Sequence, residues 1–211
     1  MKNKFNLSTL LCFYLSFLVT MSSCAKEIVP TDKEEEEQEQ ILELAEEYES
    51  CCGADPVEFE AEIQGETIYV YIPNVFTPND DGKNDKFKPV INEQIQAIQY
   101  MVIKKLEEDR EPGVSQTLYQ VGIVEAEELE RSGWDGTNQN GELHKGGFEY
   151  SINIANKDGT AYVVEGKACS IICGLDAVGF LTKEGCYFET QATGNGILDV
   201  ELENLEVGCF E

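Results

Sequence analysis

The sequence predicts an all-β domain, a sandwich or a barrel, that follows an export signal and an acidic stalk. From Val57 onwards, short segments of alternating apolar and polar residues recur, and glycine, asparagine and aspartate separate them. Many short strands with turn residues at close intervals are typical of two-sheet sandwiches and barrels. The first 50 residues differ in composition, because an apolar leader is followed by a run of glutamates.

The leader has the layout of a bacterial lipoprotein signal. Lys2 and Lys4 precede an apolar stretch over residues 10–21, which is shorter than the ~20 residues that span a bilayer. The small residues of "MSSCAKE" resemble a lipobox in which Cys24 carries the lipid. We expect a signal peptide over residues 1–23 and an outer-membrane lipoprotein facing the cell surface. An ordinary signal peptide that contains a cysteine is the alternative.

The charge of the chain excludes one class of partner. Removal of residues 1–23 takes away two lysines and no acid, so the formal charge moves from −26 to −28. Nucleic-acid binding needs clustered Lys and Arg, so a nucleic-acid partner is excluded. The same charge repels anionic lipids, so we expect membrane contact through the anchor alone. Cations, basic proteins or simple solvation remain as explanations of the acidic surface.

The stalk, residues 24–55, is predicted to be an acidic tether with a short helix. Thr31 and Glu34 form a capping box, and an apolar stripe with helical spacing follows at Ile41, Leu44, Ala45 and Tyr48. A disordered spacer extended by its like charges is the alternative.

The strands of the domain are predicted from alternation and turn residues. "NKDG" is typical of a tight hairpin turn, and "GIVEAEELERSG" is ambiguous, since its acids could form a helical turn. The predicted strands are "VEFEAEI" (57–63), "IYVYI" (68–72), "AIQYMVIKK" (97–105), "TLYQVGIV" (117–124), the hairpin "FEYSINIANKDGTAYVV" (148–164), and a closing pair "CYFETQ" (186–191) and "ILDVELEN" (197–204).

Six cysteines remain once Cys12 and Cys24 are assigned to the signal and the lipid. An even number in an exported chain predicts three disulfides, and 15 pairings are open. A link from the stalk cysteines to the C-terminal segment would close a loop of over 100 residues and add ~4–5 kcal/mol of stability. Cys51 and Cys52 are not expected to pair with each other, nor are Cys169 and Cys173, which lie ~13 Å apart on one strand. Zinc is the alternative, but the chain has no C-x-x-C motif and one histidine. The candidates are Cys51, Cys52, Cys169, Cys173, Cys186 and Cys209.

The loop in "NVFTPNDDGKNDKF" is a candidate calcium site. Asn79, Asp81 and Asp85 offer side-chain oxygens, and the Lys83 carbonyl could face the same centre. The spacing resembles part of an EF-hand loop, with Gly82 at the sharp turn. Lys88 stands where the distal acid belongs. The alternative is a turn in which Asn and Asp oxygens cap backbone N–H groups.

Two sequence blocks carry a family resemblance. "IPNVFTPNDDGKNDKFKPV" (72–90) and "GWDGTNQNGELHKGGFEYSINI" (133–154) resemble the gliding motility-associated C-terminal domain family, the type B sorting domains of the type IX secretion system. The resemblance implies an immunoglobulin-like β-sandwich over residues 56–173 and a location at the cell envelope. Residues 174–211 are then a cysteine-containing β extension beyond the usual end of that domain, and "LEEDREPGVSQ" replaces the family's Arg-Trp-Gly turn.

The aromatic and histidine side chains of the second block do not suggest catalysis. We expect Trp134 to close one end of the sandwich, with Asp135, Asn138 and Asn140 shaping the turn. An exposed Trp134 that stacks on a sugar is the alternative. His144 lies in a turn-rich segment and is expected to be solvated. No nucleophile elbow, HExxH pair or Walker loop is present, so we expect no enzyme.

The sequence therefore predicts a non-enzymatic, lipid-anchored envelope protein for surface binding or assembly, linked to gliding motility or type IX secretion. Its expected partners are envelope or surface proteins or glycans. The alternative is a calcium-dependent carbohydrate- or protein-binding module. A glycan hydrolase with an unrecognised carboxylate pair is a third interpretation.

Overall fold

The computed structural model describes residues 48, 51–52, 56–63, 65–106, 116–174, 177, 180, 184–206 and 208–209. The predicted signal peptide over residues 1–23, the lipid-bearing Cys24 and most of the stalk lie outside the described residues. Among the residues described, none belongs to a helix with the length and hydropathy to cross a bilayer.

The described chain is built mainly from strands. The described helical segments are short; two of them follow the fourth predicted strand, where the sequence was ambiguous, and one lies in the C-terminal extension. The strands are β1 (Val57–Ile63), β2 (Glu66–Ile72), β3 (Val75–Phe76), β4 (Val90–Ile91), β5 (Ile95–Lys105), β6 (Thr117–Val121), β7 (Val124–Glu125), β8 (Gly146–Asn156) and β9 (Ala161–Ser170), with 3-10 helices at Ala126–Glu128 and Glu189–Gln191 and helix α1 at Leu129–Ser132.

The strands form two sheets, which confirms the predicted all-β sandwich. The smaller sheet has the order β1-β2-β4, and the larger has the order β3-β9-β8-β5-β6, with β7 also paired to β5. All pairs are antiparallel except β3 and β9, where Val75 lies beside Cys169. The alternation in β1 places Val57, Phe59 and Ile63 against the core and the intervening glutamates outside.

The main core fills the space between the two sheets, and its packing depends on one glycine. Phe148, Tyr150 and Ile152 point inward from β8, as the sequence predicts. Tyr150 lies opposite Gly166 on β9, and its hydroxyl occupies the place where a Cβ on Gly166 would lie. The close approach of the ring to β9 is therefore possible only because residue 166 has no side chain.

Three disulfides join the two ends of the described chain to the sandwich. They link Cys51 to Cys169, Cys52 to Cys186, and Cys173 to Cys209, across separations of 118, 134 and 36 residues. Three disulfides are present, as predicted, and neither Cys51–Cys52 nor Cys169–Cys173 is among them; the pairing itself was left open by the sequence. The end of the stalk is thus part of the folded domain, and a second apolar cluster surrounds the bridges, with Tyr48, Val75, Ile171, Ala177, Phe180 and Phe188.

The C-terminal extension does not form the predicted pair of strands, so that prediction is wrong. Its described residues contain the 3-10 helix Glu189–Gln191 and one isolated bridge between Ala192 and Leu198. The extension lies on the outer face of the smaller sheet. Tyr71 of β2 donates to the Phe188 carbonyl at 3.0 Å, and a Cβ on Gly196 would meet the Tyr69 carbonyl at 2.9 Å.

Candidate functional site

The loop over residues 77–87, here the acidic loop, is organised around one carboxylate. Asp85 accepts hydrogen bonds from the backbone N–H groups of Asp80 at 2.6 Å and Gly82 at 2.7 Å. Asp80 and Gly82 both have positive φ, 62° and 87°, a conformation that turns their N–H groups toward one point. Asp85 thereby caps free backbone N–H groups of the loop, as an N-cap side chain does at the start of a helix.

The other two predicted oxygen donors hold the same loop. Asn79 Oδ1 accepts from the Asp81 N–H at 3.2 Å, and Asp81 Oδ1 accepts from the Lys83 N–H at 2.9 Å. The structure therefore brings Asn79, Asp81 and Asp85 into one loop and uses each as a cap for the backbone, as the turn interpretation predicts. In the described part of the chain, no three His, Cys, Asp or Glu side chains are grouped so as to hold a metal, and calcium binding stays a prediction.

The acidic loop is covered by residues 184–206, here called the strap. Asn84, buried at the base of the loop, uses its whole side-chain amide on this segment. Its Nδ2 donates to the Asn204 carbonyl at 2.8 Å and to Glu206 Oε1 at 2.5 Å, and its Oδ1 accepts from the Thr190 N–H at 3.1 Å. One side chain thus joins two distant parts of the strap.

A second buried asparagine at the start of the motif has the same role. Asn74 Nδ2 donates to the Gly185 carbonyl, and Asn74 Oδ1 accepts from the Tyr187 N–H, both at 2.7 Å. Asn74 and Asn84 satisfy backbone groups of the strap that would otherwise need a neighbouring strand. This explains why the strap is ordered without forming the predicted hairpin.

A buried lysine forms the third attachment. Lys88 Nζ lies 2.8 Å from Glu130 of α1 and 2.6 Å from Glu189 of the strap. Burial acts to lower the pKa of Lys88, but the two carboxylates outweigh it, and the pKa is raised. Burial raises the pKa of Glu189, and the adjacent ammonium offsets only part of that rise. Lys88, which stands where a calcium-binding loop would have its last acidic ligand, is therefore the centre of an ion-pair network.

Glu206, near the end of the strap, is a fully buried carboxylic acid. Its residue exposure is 0%, and Oε1 accepts the hydrogen bond from Asn84. Burial raises the pKa of Glu206, and the charges of Asp81 and Asp85 raise it further. The hydrogen bonds from the side chains of Asn84 and Thr77 offset only part of the rise. Its neighbour Leu205 adopts φ 62°, an uncommon conformation for a bulky residue and a source of local strain.

The second sequence block is joined directly to the first. Phe87 and Trp134 form an isolated antiparallel bridge, with N–H to carbonyl distances of 2.7 and 3.0 Å. Trp134 is fully buried, and its Nε1 donates to the Thr137 carbonyl at 2.7 Å. The prediction that Trp134 closes the sandwich is confirmed, and this residue offers no exposed face for a sugar.

Asp135 and Asn138, two of the three side chains predicted to shape the turn after Trp134, hold its backbone, whereas Asn140 takes part through its backbone N–H. Asp135 accepts from the Thr137 N–H and hydroxyl; burial acts to raise the pKa of Asp135, but these bonds outweigh it and lower the pKa. Asn138 Oδ1 accepts from two backbone N–H groups. The prediction that His144 is solvated is wrong: it is half-buried, its Nε2 lies 3.0 Å from the Gly147 carbonyl, and its ring packs near Trp134.

Sequence reasoning missed the residues that hold the strap. Asn74 and Asn84 belong to the quoted motif, but no local pattern distinguishes an asparagine that caps a turn from one that binds a segment 100 residues away. Glu206 had no signal at all among 41 acidic residues.

No family model matches the chain, and no curated protein is significantly similar to it in sequence.

Proposed function

We propose that the chain is a non-enzymatic, lipid-anchored protein of the cell envelope that binds or assembles with other components at the cell surface. The observation that carries the proposal is the use of cysteine. All six cysteines that follow Cys24 are paired in disulfides, which form and persist in oxidising compartments outside the cytosol. The two other cysteines precede residue 25, and Cys24 stands where a lipobox cysteine belongs.

The architecture suits a rigid binding module. The disulfides and the three attachments of the strap hold both ends of the domain to one sandwich, so its surface is presented in a fixed shape. A pre-organised surface loses little conformational entropy on binding. The resemblance of the two sequence blocks to type B sorting domains supports work beside gliding-motility or type IX secretion components.

Some ionisable side chains around the described surface have structural roles. One cleft of about 500 Å³ is lined by Glu66, Glu93, Lys157 and Asp158, and Asp158 caps the N–H of Thr160. The histidine of the chain contacts a backbone carbonyl and packs on an aromatic ring. A nucleophile with an adjacent base, the arrangement of covalent catalysis, is absent from this cleft.

The anchor is tested by metabolic labelling with an alkyne fatty acid in cells that produce the protein. The wild type and Cys12→Ser are expected to take up label and to sediment with membranes. Cys24→Ser is expected to lose the label and to leave the membrane fraction. Equal labelling of the wild type and Cys24→Ser would remove the anchor from the proposal.

The binding role is tested by chemical cross-linking on intact cells, with unanchored Cys24→Ser as the control. The proposal expects cross-links between the anchored chain and envelope or surface proteins that the control does not form. Turnover of any member of a polysaccharide panel by the purified protein would favour the hydrolase interpretation and contradict the proposal.

A further inference from the structure

One side of the sandwich is open in the described part of the chain, because two strands there have an edge without a neighbouring strand. β1 is the outermost strand of the smaller sheet and pairs with β2 alone. In the larger sheet, β9 lies beside β3 only at Cys169 and Ser170, so residues 161–165 of β9 also form an edge. Phe59 of β1 contacts Tyr162 of β9 with ring centroids 5.1 Å apart, which places both edges on the same side.

The edge of β1 presents backbone groups that bond to no described residue. In an antiparallel pair, alternate residues direct both N–H and C=O toward the partner strand, and the residues between them direct both away. The Tyr69 carbonyl of β2 accepts from the Asn92 N–H, beside β4, so Tyr69 and its partner Glu60 do not bond to each other. The backbone groups of Glu58, Glu60 and Glu62 therefore point outward from the sheet, ready to pair with another strand.

The two faces of β1 differ in chemistry, so this edge specifies the side chains of a strand that would pair with it. Val57, Phe59 and Ile63 pack against the core but remain half-buried. The three glutamates are exposed on the other face. Residues directly opposite each other on neighbouring strands share one face of the sheet. An added strand would therefore match apolar residues to the core-facing set and basic residues to the glutamates.

The charge of the edge disfavours a second copy of the chain as this strand. Two β1 strands paired edge to edge would set the glutamates of one copy against those of the other, and like charges that face each other are destabilising. Charged residues on an exposed edge are a common protection against such self-pairing. A strand with lysine or arginine at alternate positions meets attraction at the same edge.

We propose that β1 is a docking edge for an extended segment of another protein, in which basic and apolar residues alternate. The segment joins the three-stranded smaller sheet as a further strand, bonds to the outward backbone groups of β1 and covers Phe59 at the open side. Strand addition takes its affinity from main-chain hydrogen bonds and its specificity from alternate side chains. This inference rests on the binding role proposed above and names the class of partner.

The probe is a capped peptide of alternating valine and lysine with the 7-residue length of β1. The control peptide has the same composition with its lysines consecutive. NMR titration of the purified protein measures both affinities, and the alternating peptide should bind about tenfold more tightly or better. Amide hydrogen exchange of Glu58, Glu60 and Glu62 should slow in the complex with the alternating peptide, because an added strand bonds these N–H groups.

Variants separate backbone pairing from attraction of charge. Glu60→Pro removes one outward N–H without removing a bond to β2, whereas Glu60→Gln removes the charge alone, so Glu60→Pro should bind the peptide more weakly. Glu60→Lys/Glu62→Lys should lose affinity by about tenfold or more. Glu127→Lys/Glu128→Lys, at exposed positions after β7, makes the same change of charge and should change affinity by less than about twofold.

Equal binding of the two peptides overturns the proposal, as does equal loss of affinity in the two lysine variants, because attraction would then come from the general acidity of the surface. Unchanged exchange of the three amides in the peptide-saturated wild type also overturns it, and this measurement requires no variant to fold. A dimer of the peptide-free protein that protects the same amides would assign the edge to a second copy instead. Each of these failures leaves the binding role to the cross-linking on intact cells, which does not depend on β1.

Discussion

The side-chain amide of Asn84 donates a hydrogen bond to the carboxylate of Glu206 at 2.5 Å, across 122 residues of sequence. Both side chains are buried, so the bond is shielded from water, and its loss would leave the carboxylate with the Thr77 hydroxyl as its remaining side-chain partner. Through the same amide, Asn84 also fixes Thr190 and Asn204. The acidic loop and the strap are therefore one structural unit, although they lie at opposite ends of the domain sequence.

Replacement of Asn84 with alanine should destabilise the domain by about 2–4 kcal/mol, because several buried hydrogen bonds lose a partner. Alanine also tolerates the φ of 47° at this position less well than asparagine does. Urea unfolding of the variant and the wild type measures the difference. Asn140→Ala, an exposed asparagine of the turn after Trp134, is the control and should change stability by less than about 0.5 kcal/mol. A loss below about 1 kcal/mol for Asn84→Ala would mean that the strap is held mainly by its disulfides.

Lys88 and Glu130 should differ greatly in their contribution to stability, although they form one ion pair. The Lys88 side chain is 6% exposed and that of Glu130 is 82% exposed. Lys88→Met leaves the half-buried Glu189 without its counter-charge and should cost about 3 kcal/mol. Glu130→Gln removes a solvated partner and should cost less than about 1 kcal/mol.

The double variant Lys88→Met/Glu189→Met separates loss of the pair from loss of packing. A hydrophobic pair of similar volume often replaces a buried ion pair without loss, so the double variant should be more stable than Lys88→Met alone. Equal free energies of unfolding for Lys88→Met and Glu130→Gln would contradict the burial assigned to this network.

Strand β1 could be predicted from the sequence and the strap could not, because the contacts that form β1 are local and those that hold the strap are not. Strand β1 was predicted because Val57, Phe59 and Ile63 alternate with glutamates, and the burial of alternate residues is a local property of a strand. The strap was predicted as two strands because the turn residues "ATGNG" separate "CYFETQ" from "ILDVELEN", and that was wrong. Its backbone groups are satisfied by the side chains of Asn74 and Asn84, more than 100 residues away, and no periodicity in the strap records such partners.

The candidate site divides in the same way. The sequence places Asn79, Asp81 and Asp85 in one turn because the spacing and Gly82 dictate a loop. Thr77 and Glu206 become part of the site only because the strap covers the acidic loop and buries both side chains, which the sequence does not show. The disulfides were predictable in number, since six cysteines follow Cys24, but their pairing required the three-dimensional arrangement.

Gly166→Ala should destabilise the sandwich by about 1–3 kcal/mol, the usual cost of overpacking a core. The added methyl would occupy the place of the Tyr150 hydroxyl, and Tyr150 is held between the sheets by the surrounding core. Thermal and urea unfolding measure the effect. Gly122→Ala is the control, because a Cβ there meets nothing within 4 Å. If the two alanine variants are equally stable, Tyr150 does not approach β9 as closely as the structure shows.

Alkaline pH should weaken the fold through two buried tyrosines. Burial raises the pKa of Tyr71 and of Tyr150 well above the usual range. In the unfolded chain a tyrosine loses its proton near pH ~10, whereas in the folded protein both hydroxyls stay protonated. The unfolded state therefore binds fewer protons above that pH, and each tyrosine lowers stability by up to about 1.4 kcal/mol per pH unit as the pH rises.

Two measurements check this prediction. The absorbance of tyrosinate is followed during a pH titration. Two tyrosines should ionise only at the pH at which the protein unfolds. Above pH ~10, the unfolding free energy falls as the pH rises. Tyr71→Phe and Tyr150→Phe should each make this fall less steep by up to about 1.4 kcal/mol per pH unit, the contribution of one proton. Tyr71→Phe should also lower stability at neutral pH by about 1 kcal/mol, because the buried Phe188 carbonyl loses its donor. Reversible ionisation of every tyrosine in the folded protein would show that neither hydroxyl is enclosed, and would remove the strap from the outer face of β2.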